Sequence, residues 1–231
     1  MPPDIDQLLT LLTYEYGEQP LKSCDDHMQQ LVLTILSHRT TWQDEKRAYD
    51  AMWARYGSWE AIQNADTATL TALLAPVRYP ERKAPYIQQT LAHIHARTGT
   101  YNIDFLQDVP TDEAMTWLLS LPGVGYKTAS LLMLFCFHRP VMPVDTHVHR
   151  VSKRLGIIPA KASADTAFHL LTKLLPQDAA YLYRYHKLLF KHGQRVCVYE
   201  RPRCAHCVLK QVCPTAPLYL VPPNLNMGWV K

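Results

Sequence analysis

The stretch LPGVGYKTA at residues 121–129 decides the fold, because it places a Gly-x-Gly turn between two segments with helical periodicity. Glycine permits backbone conformations that other residues avoid, and it lets a partner approach the backbone closely. The pattern predicts a helix–hairpin–helix whose second helix presents backbone N–H groups. Such groups can hold a phosphate without reading base sequence. A Pro-Gly turn is also a common connector between helices, so the turn alone does not settle the function.

Helical periodicity covers nearly the whole chain, and no run of alternating apolar and polar residues indicates strands. The pattern therefore predicts an all-α protein. The predicted helices are 26–37, 43–56, 60–64, 67–74, 82–98, 104–109, 111–120, 127–138, 145–156, 162–175 and 179–192. Residues 215–231 are predicted to be a C-terminal tail.

Charge is distributed unevenly along the 231 residues, although the net charge is only +4. Residues 150–210 carry 12 Lys and Arg against 3 acids, whereas residues 1–149 carry 11 Lys and Arg against 17 acids. A basic half on an otherwise acidic chain favours a face that binds a polyanion. The alternative interpretation is a solvated charged surface.

The amino-terminal sequence MPPDIDQLL lacks the basic and apolar parts of a secretory signal. The longest apolar run, 131–137, is too short to cross a bilayer, which needs about 20 residues. We therefore expect a soluble cytoplasmic protein, associated with the nucleoid if the polyanion is DNA, without a membrane partner. Cysteines in that compartment stay reduced, so a cysteine cluster favours metal over disulfides.

Four of the six cysteines form such a cluster near the carboxyl end, spaced C-x6-C-x2-C-x5-C. They are Cys197, Cys204, Cys207 and Cys213. Structural zinc typically takes two C-x2-C pairs, whereas here one pair is flanked by single cysteines. Cubane iron–sulfur clusters also take four thiolates. Spacing alone therefore predicts a metal or cluster site. Cys136 is interpreted as a packed core thiol.

Lys127 and Asp145 are the candidate catalytic residues. Lys127 lies just inside the second helix of the hairpin, and a lysine in its neutral form can attack carbon. The positive end of its own helix favours that neutral form. Asp145 opens the segment VDTHVHR and can stabilise positive charge that develops on a sugar. The ordinary alternatives are a solvated surface lysine and a plain helix N-cap.

Three blocks of sequence resemble the endonuclease III family of helix–hairpin–helix DNA glycosylases. They are LPGVGYKTA (121–129), VDTHVHRVSKRLG (144–156) and HGQRVC…PRCAHC…C (192–213). The resemblance extends more weakly over residues 22–120, so that it covers most of the chain.

The resemblance implies two helical lobes flanking a DNA-binding cleft, with a C-terminal loop that holds a 4Fe-4S cluster. One lobe is expected to be a six-helix bundle over residues 22–138 that includes the hairpin. The other lobe is expected to join residues 1–21 to residues 139–214. The target nucleotide is expected to be flipped out of the duplex. A monomer is expected.

The family's catalytic lysine and aspartate fall on Lys127 and Asp145. The resemblance implies that Lys127 attacks C1′ of the damaged nucleoside, the base leaves, and a Schiff base forms with the opened sugar. β-Elimination then cuts the strand, which makes the enzyme a bifunctional DNA glycosylase and AP lyase of base excision repair. The cluster's implied role is mainly structural. The implied DNA contacts are Gly123, Val124, Gly125, Tyr126, Thr128, His147, Arg201 and Arg203.

Two segments depart from the family pattern. The family often has glutamine at the position of Arg39 in LSHRTT (36–41), where it fills the gap left by the flipped base. Arginine offers only donors, so the preference for the opposite base is expected to differ. In VRYPERKA (77–84), Arg78 replaces a usual glycine and Tyr79 becomes the candidate wedge. Ordinary phosphate contact is the alternative for Arg39 and Arg78.

The leading expected substrate is double-stranded DNA with oxidised or ring-saturated pyrimidines, or with abasic sites. A uracil or mismatched-thymine glycosylase is the second interpretation, but such relatives tend to carry tyrosine at the position of Lys127. Adenine removal opposite 8-oxoguanine is less favoured, because that branch has a further C-terminal recognition domain. A non-catalytic binder of DNA structure is the alternative outside enzymes.

Overall fold

A computed structural model of the protein describes residues 3–220, and every regular element in that range is helical. The predicted all-α fold is therefore confirmed for the described residues. The helices are α1 (Ile5–Tyr16), α2 (His27–Leu36), α3 (Trp42–Tyr56), α4 (Trp59–Gln63), α5 (Thr67–Leu73), α6 (Pro80–Thr98), α7 (Thr111–Ser120), α8 (Tyr126–Phe135), α9 (Thr146–Arg154), α10 (Ala164–Leu174), α11 (Ala179–Arg195) and α12 (Pro217–Leu220). Two 3₁₀ turns lie at Asp104–Gln107 and Cys204–His206.

Contacts between residues divide the chain into two compact units. The unit that holds the hairpin is Lys22–Arg139 and contains α2 to α8. The other unit joins Met1–Leu21 to Pro140–Lys231, as far as these ranges are described, and contains α1 and α9 to α12. We call them the hairpin unit and the cysteine unit.

Helix α6 is the longest helix of the hairpin unit, and α4 and α5 pack on it. Its buried positions repeat at helical spacing and are Lys83, Ala84, Ile87, Thr90, Leu91 and Ile94. All of these are apolar or small except Lys83, a charged residue on the core-facing stripe. Helix α2 packs on α8, which brings the carboxyl end of α2 towards the hairpin.

The cysteine unit is built around α11, which packs on both α9 and α1. Tyr185 of α11 is fully buried, and its hydroxyl lies 3.2 Å from the hydroxyl of Ser152 in α9. The pairing satisfies two polar groups that would otherwise be buried without partners. Because α1 comes from the opposite end of the chain, this core is closed only after both ends have been brought together.

The structure differs from the sequence-based expectations at a few elements. Helix α1 was not among the predicted helices, although Asp4 caps it by accepting from the backbone N–H of Gln7 at 3.0 Å. Cys136 is buried as expected, and burial together with the nearby Cys24 raises the pKa of its thiol. The predicted tail begins with the short helix α12, and residues 221–231 lie outside the described residues.

No helix in the described part of the chain is long and apolar enough to cross a membrane.

Candidate active site and candidate metal centre

The two glycines of the hairpin have different structural requirements. Gly123 has φ 76°, and a Cβ built on it would lie 2.8 Å from Cδ2 of Tyr86. It therefore needs glycine both for its left-handed backbone and for close packing. Gly125 has φ −107°, and no protein atom lies within 4 Å of a Cβ built there. The space beside Gly125 is open.

Gly125 is the N-cap of α8, and no side chain caps this helix end. Val124 and Thr128, both predicted DNA contacts, are buried, so only their backbone groups can face a ligand at this turn. Tyr126 is half-buried. The hairpin therefore offers a helix amino end with open space beside it, the arrangement that favours anions.

Lys127 is half-buried on the first turn of α8, and its Nζ donates to Oγ of Ser37 at 3.3 Å. Ser37 caps the carboxyl end of α2, and the packing of α2 on α8 brings the two residues together. The amine of Lys127 therefore has a defined position within the hairpin unit.

Glu45 on the first turns of α3 lies within electrostatic range of Lys127. Burial raises the pKa of its carboxyl to about 7, against the opposing attraction of Lys127 and Lys83. Desolvation disfavours the ionised carboxylate more than the two ammonium groups favour it. Near neutral pH this carboxyl is therefore divided between its protonated and ionised forms.

The turn between α2 and α3 lies among positive charges. Burial lowers the pKa of His38, and Lys127, Lys83, Arg39 and Arg82 lower it further. Burial and these cations both disfavour the charged form of His38, and the cations give this part of the hairpin unit a positive potential, which suits a polyanion.

Lys83 is 4% exposed and is held by three oxygen atoms. Its Nζ donates to the carbonyl oxygen of Leu36 at 2.6 Å, to that of His38 at 2.9 Å and to Oγ1 of Thr40 at 3.0 Å. Burial lowers the pKa of Lys83 to about 8. Sequence analysis did not single out this residue or Glu45. The signal for Lys83 was its position on the apolar stripe of α6.

Arg39 and Tyr79 are exposed and both have left-handed backbones, with φ 54° and 59°. The neighbouring guanidinium groups of Arg39 and Arg78 lower the pKa of the Tyr79 hydroxyl, and the guanidinium of Arg78 lies 5.8 Å from the centre of the Tyr79 ring. The structure therefore brings the two residues that depart from the family pattern, Arg39 and Arg78, close to the candidate wedge Tyr79. Because the left-handed residue is Tyr79 and not Arg78, arginine is tolerated where the family usually has glycine.

Asp145 belongs to the cysteine unit and is the N-cap of α9. Its Oδ1 accepts from the backbone N–H groups of His147 at 2.8 Å and Val148 at 2.7 Å. The predicted capping role is therefore present. These two bonds fix the orientation of the carboxylate.

His147 is half-buried on the first turn of α9, with its ring 5.1 Å from that of Phe190. Its Nδ1 lies 3.1 Å from Nη2 of Arg150, and a Cβ built on Gly193 would lie 2.7 Å from its own Cβ. Glycine at 193 thus allows α11 to approach α9 closely. The ring is packed against α11, so only part of it can reach a ligand.

The four clustered cysteines line one cavity in the cysteine unit. Its remaining lining is largely apolar and includes Val151, Leu155, Val196, Pro202, Leu209 and Ala216. Three possible hydrogen-bond donors lie close to sulfur. Nη1 of Arg154 is 3.3 Å from Sγ of Cys197, Nε2 of His192 is 3.5 Å from Sγ of Cys207, and Oγ1 of Thr215 is 3.4 Å from Sγ of Cys213. A guanidinium beside a sulfur atom suits a thiolate better than a neutral thiol.

All six cysteines are free thiols in the structure, and burial raises the pKa of Cys207 to about 11. Within residues 3–220, no group of three or more His, Cys, Asp or Glu side chains could hold a single metal ion. The four thiols line one cavity, so the donors present fit a group that takes four thiolate ligands. Arg201 and Arg203, in the loop between Cys197 and Cys204, are exposed.

Residues 32–177 match the family model of the HhH-GPD superfamily base excision DNA repair proteins. The chain is 30% identical to endonuclease III of Thermotoga maritima over 81% of this chain and 83% of that protein. It is 32% identical to endonuclease III of Synechocystis over 82% and 81% of the two chains. It is 34% identical to endonuclease III-like protein 1 of Bos taurus, over 81% of this chain and 59% of that protein.

Solved structures show the same fold. A trapped covalent intermediate of an endonuclease III with DNA superposes with a TM-score of 0.77 at 24% identity, covering 93% of this chain and 96% of that chain. A thermostable thymine-DNA glycosylase superposes with a TM-score of 0.69 at 20% identity, covering 93% and 95%. The family model matches more than half of the chain, and two endonuclease III relatives are at least 30% identical over more than two thirds of both proteins. The chain belongs to the HhH-GPD superfamily of base excision DNA repair proteins, and within it to the endonuclease III family.

Proposed function

We propose that the protein is a bifunctional DNA glycosylase and AP lyase that uses Lys127 as its nucleophile. The observation that carries the proposal is the placement of the Lys127 amine. It is half-buried at the amino end of α8, and the hydroxyl of Ser37 fixes its position. A surface lysine that is only solvated would not need this arrangement.

The amine has to be neutral to attack C1′ of a deoxynucleotide. The positive end of α8 and the nearby ammonium of Lys83 both disfavour a positive charge at Lys127, whereas the ionised form of Glu45 favours it. Attack forms a bond between Nζ and C1′ and breaks the bond to the base, which leaves with the electron pair and is protonated. Ring opening then gives the Schiff base. Loss of a proton from C2′ expels the 3′ phosphate and cuts the strand.

Asp145 is the proposed carboxylate that stabilises the cationic sugar. Its Oδ1 is already oriented by two backbone N–H groups of α9, so the charge needs little reorganisation when the sugar becomes positive. Its role is distinct from that of Glu45, whose carboxyl is partly protonated at neutral pH.

The proposed ligand is duplex DNA. The uncapped amino end of α8 would hold a phosphate of the backbone, with the open space beside Gly125 admitting it. Arg39 and Tyr79, on two neighbouring exposed turns, are the proposed residues that occupy the space left by the extruded nucleotide. Arg201 and Arg203 are proposed phosphate contacts.

Cys197, Cys204, Cys207 and Cys213 are the proposed ligands of a 4Fe-4S cluster. Its contribution when bound is structural, because it orders a short loop that buries little apolar surface. Arg154 and His192 would orient the cysteine sulfurs.

The proposed substrates are oxidised or ring-saturated pyrimidines in duplex DNA, together with abasic sites. Retention of a lysine at position 127 supports the lyase step over the uracil or mismatched-thymine alternative.

Borohydride trapping tests the proposal, with duplex DNA carrying thymine glycol or an abasic site as substrate. We expect wild type to form a covalent adduct and Lys127→Ala to lose it by at least about 100-fold, because the substitution removes the proposed nucleophile. Base release without trapping by wild type would show a monofunctional enzyme. If wild type neither traps nor releases on any of these substrates, the protein is a DNA-binding protein and the proposed mechanism is wrong.

A further inference from the structure

Lys83 is a buried charged residue for which the proposed reaction gives no direct role. It comes from the first turn of α6, yet all three oxygen atoms that hold it belong to residues 36–40, more than 40 positions earlier in the chain. An ammonium group at the carboxyl end of a helix satisfies carbonyl groups that have no partner within that helix. Lys83 therefore closes the end of α2 from a different helix.

The turn that Lys83 holds is a strained one. Arg39 has φ 54° in the middle of it, a left-handed backbone that is unfavourable for a residue other than glycine. Such a conformation persists only where surrounding contacts impose it. The bonds from Lys83 to His38 and Thr40 lie on either side of Arg39 and supply that constraint.

A second strained turn is joined to the first. Oγ1 of Thr40 also accepts from the backbone N–H of Arg78 at 3.2 Å, and the next residue, Tyr79, has φ 59°. Thr40 is thus shared between Lys83 and the turn that carries Tyr79. Through this one hydroxyl, the buried ammonium connects the two exposed turns that carry Arg39 and Tyr79.

The same turn also reaches the proposed nucleophile. Ser37, whose Oγ accepts from Nζ of Lys127, lies between the two carbonyl groups that Lys83 binds. A shift of this backbone would move the hydroxyl away from Lys127. Misplacement of a reacting group by about 1 Å can cost on the order of 100-fold in rate.

We propose that Lys83 is a positioning residue that locks residues 36–40 to the Arg78–Tyr79 turn, and so places both the Arg39–Tyr79 pair and the hydroxyl partner of Lys127. The inference rests on the proposed function for its catalytic consequence. The lock itself is a property of the free protein. Lys83 acts through other residues and does not touch the substrate.

The test compares Lys83→Met with Leu91→Ala in the full-length protein. Leu91 is fully buried on the same helix, so its truncation also destabilises the hairpin unit. Trypsin cleavage after Arg39 and Arg78 under native conditions reports local opening of the two turns. Temperatures are chosen at which the two variants are equally folded by circular dichroism. We expect cleavage at both sites in Lys83→Met to be at least about 10-fold faster than in Leu91→Ala.

Activity supplies the second readout. On abasic duplexes with adenine or guanine opposite, single-turnover trapping should slow at least about 10-fold in Lys83→Met. The ratio of the two rate constants should also change at least about 3-fold. Partial unfolding lowers the amplitude of trapping equally for both duplexes, so it cannot change the ratio of the two rate constants. Leu91→Ala should therefore keep the wild-type ratio.

Thr40→Val is the second variant, because it removes the shared hydroxyl and leaves Lys83 in place. It should speed cleavage after Arg78 even if Lys83→Met does not fold. If trypsin cleaves Lys83→Met, Thr40→Val and Leu91→Ala at equal rates after Arg39 and Arg78, Lys83 does not hold the two turns together. Faster cleavage with unchanged trapping and an unchanged ratio would overturn the positioning role. If wild type does not trap abasic DNA, the proposed function fails, and proteolysis still decides whether the lock exists.

Discussion

Among single residues, Glu45 links the packing of the hairpin unit to pH. Its pKa is about 7 in the folded protein against 4.5 for the free side chain, chiefly because of burial. Between these values the unfolded chain has released a proton that the folded protein still holds, so stability falls as pH rises through this window. The lost stability is the cost of ionising a partly buried carboxyl.

Glu45→Gln should remove this dependence. We expect the variant to match wild type at pH 4 and to exceed it by roughly 1–2 kcal/mol at pH 8. This figure is reduced from the full shift because the side chain is partly solvated. Thermal unfolding followed by circular dichroism at the two pH values measures it. Glu60→Gln, an exposed carboxyl on α4, should show no such difference. A stability gain in Glu45→Gln that is equal at both pH values would show that ionisation is not its cause.

Asp145 combines a capping role with a proposed catalytic one, and two substitutions separate them. Asparagine caps helices about as well as aspartate, so Asp145→Asn should change stability by less than about 0.5 kcal/mol. Asp145→Ala should cost about 1 kcal/mol, because the N–H groups of His147 and Val148 lose their acceptor. Both variants should lose glycosylase activity by about 100-fold or more if the negative charge is needed.

Base release from a thymine glycol duplex and thermal melting give the two readouts for Asp145. Full activity in Asp145→Asn would show that the negative charge of Asp145 is not needed and that the residue serves only as a helix cap.

At the scale of the element, the hairpin offers a matched pair of glycines. In Gly123→Ala, the new methyl group would clash with the Tyr86 ring, and alanine would have to adopt a left-handed backbone. The substitution should therefore destabilise the protein by about 1–3 kcal/mol. Gly125→Ala causes neither a clash nor backbone strain, so it should change stability by less than about 1 kcal/mol. Its methyl group would occupy the open space beside the amino end of α8. We therefore expect Gly125→Ala to weaken duplex binding about 10-fold, measured by fluorescence anisotropy with an abasic-site analogue. Unchanged affinity would mean that no phosphate approaches this turn.

Helices could be predicted because their determinants are local: caps, prolines and apolar spacing lie within a few residues of each other. Helix α8 was expected to end at about His138 and ends at Phe135, where Cys136 is its C-cap. Helix α6 begins at Pro80, two residues before the predicted start, with proline at its first position. Such differences of two or three residues arise at helix ends, where tertiary contacts compete with the last turn.

At the scale of the whole molecule, the cysteine unit holds the four thiols of the proposed cluster. Replacing any one of them, for example Cys204→Ser, should abolish the broad absorption near 400 nm of the anaerobically purified protein and lower its melting temperature. Cys136→Ser and Cys24→Ser change thiols of the hairpin unit and should keep the absorption. Iron and sulfide analysis of the same samples provides the check. A colourless wild-type protein that contains zinc would contradict the proposed cluster.

The sequence alone was sufficient for the all-α class, the helix–hairpin–helix and the family, because these depend on short motifs whose meaning is local. It also identified the residues proposed for chemistry, Lys127 and Asp145, by their place in those motifs. It could not indicate that Lys83 is buried and holds the turn of residues 36–40, or that burial raises the pKa of Glu45 to about 7. Those properties depend on how α2, α3, α6 and α8 pack, because burial and electrostatic range are set by residues distant in the chain. Only the tertiary structure decides them.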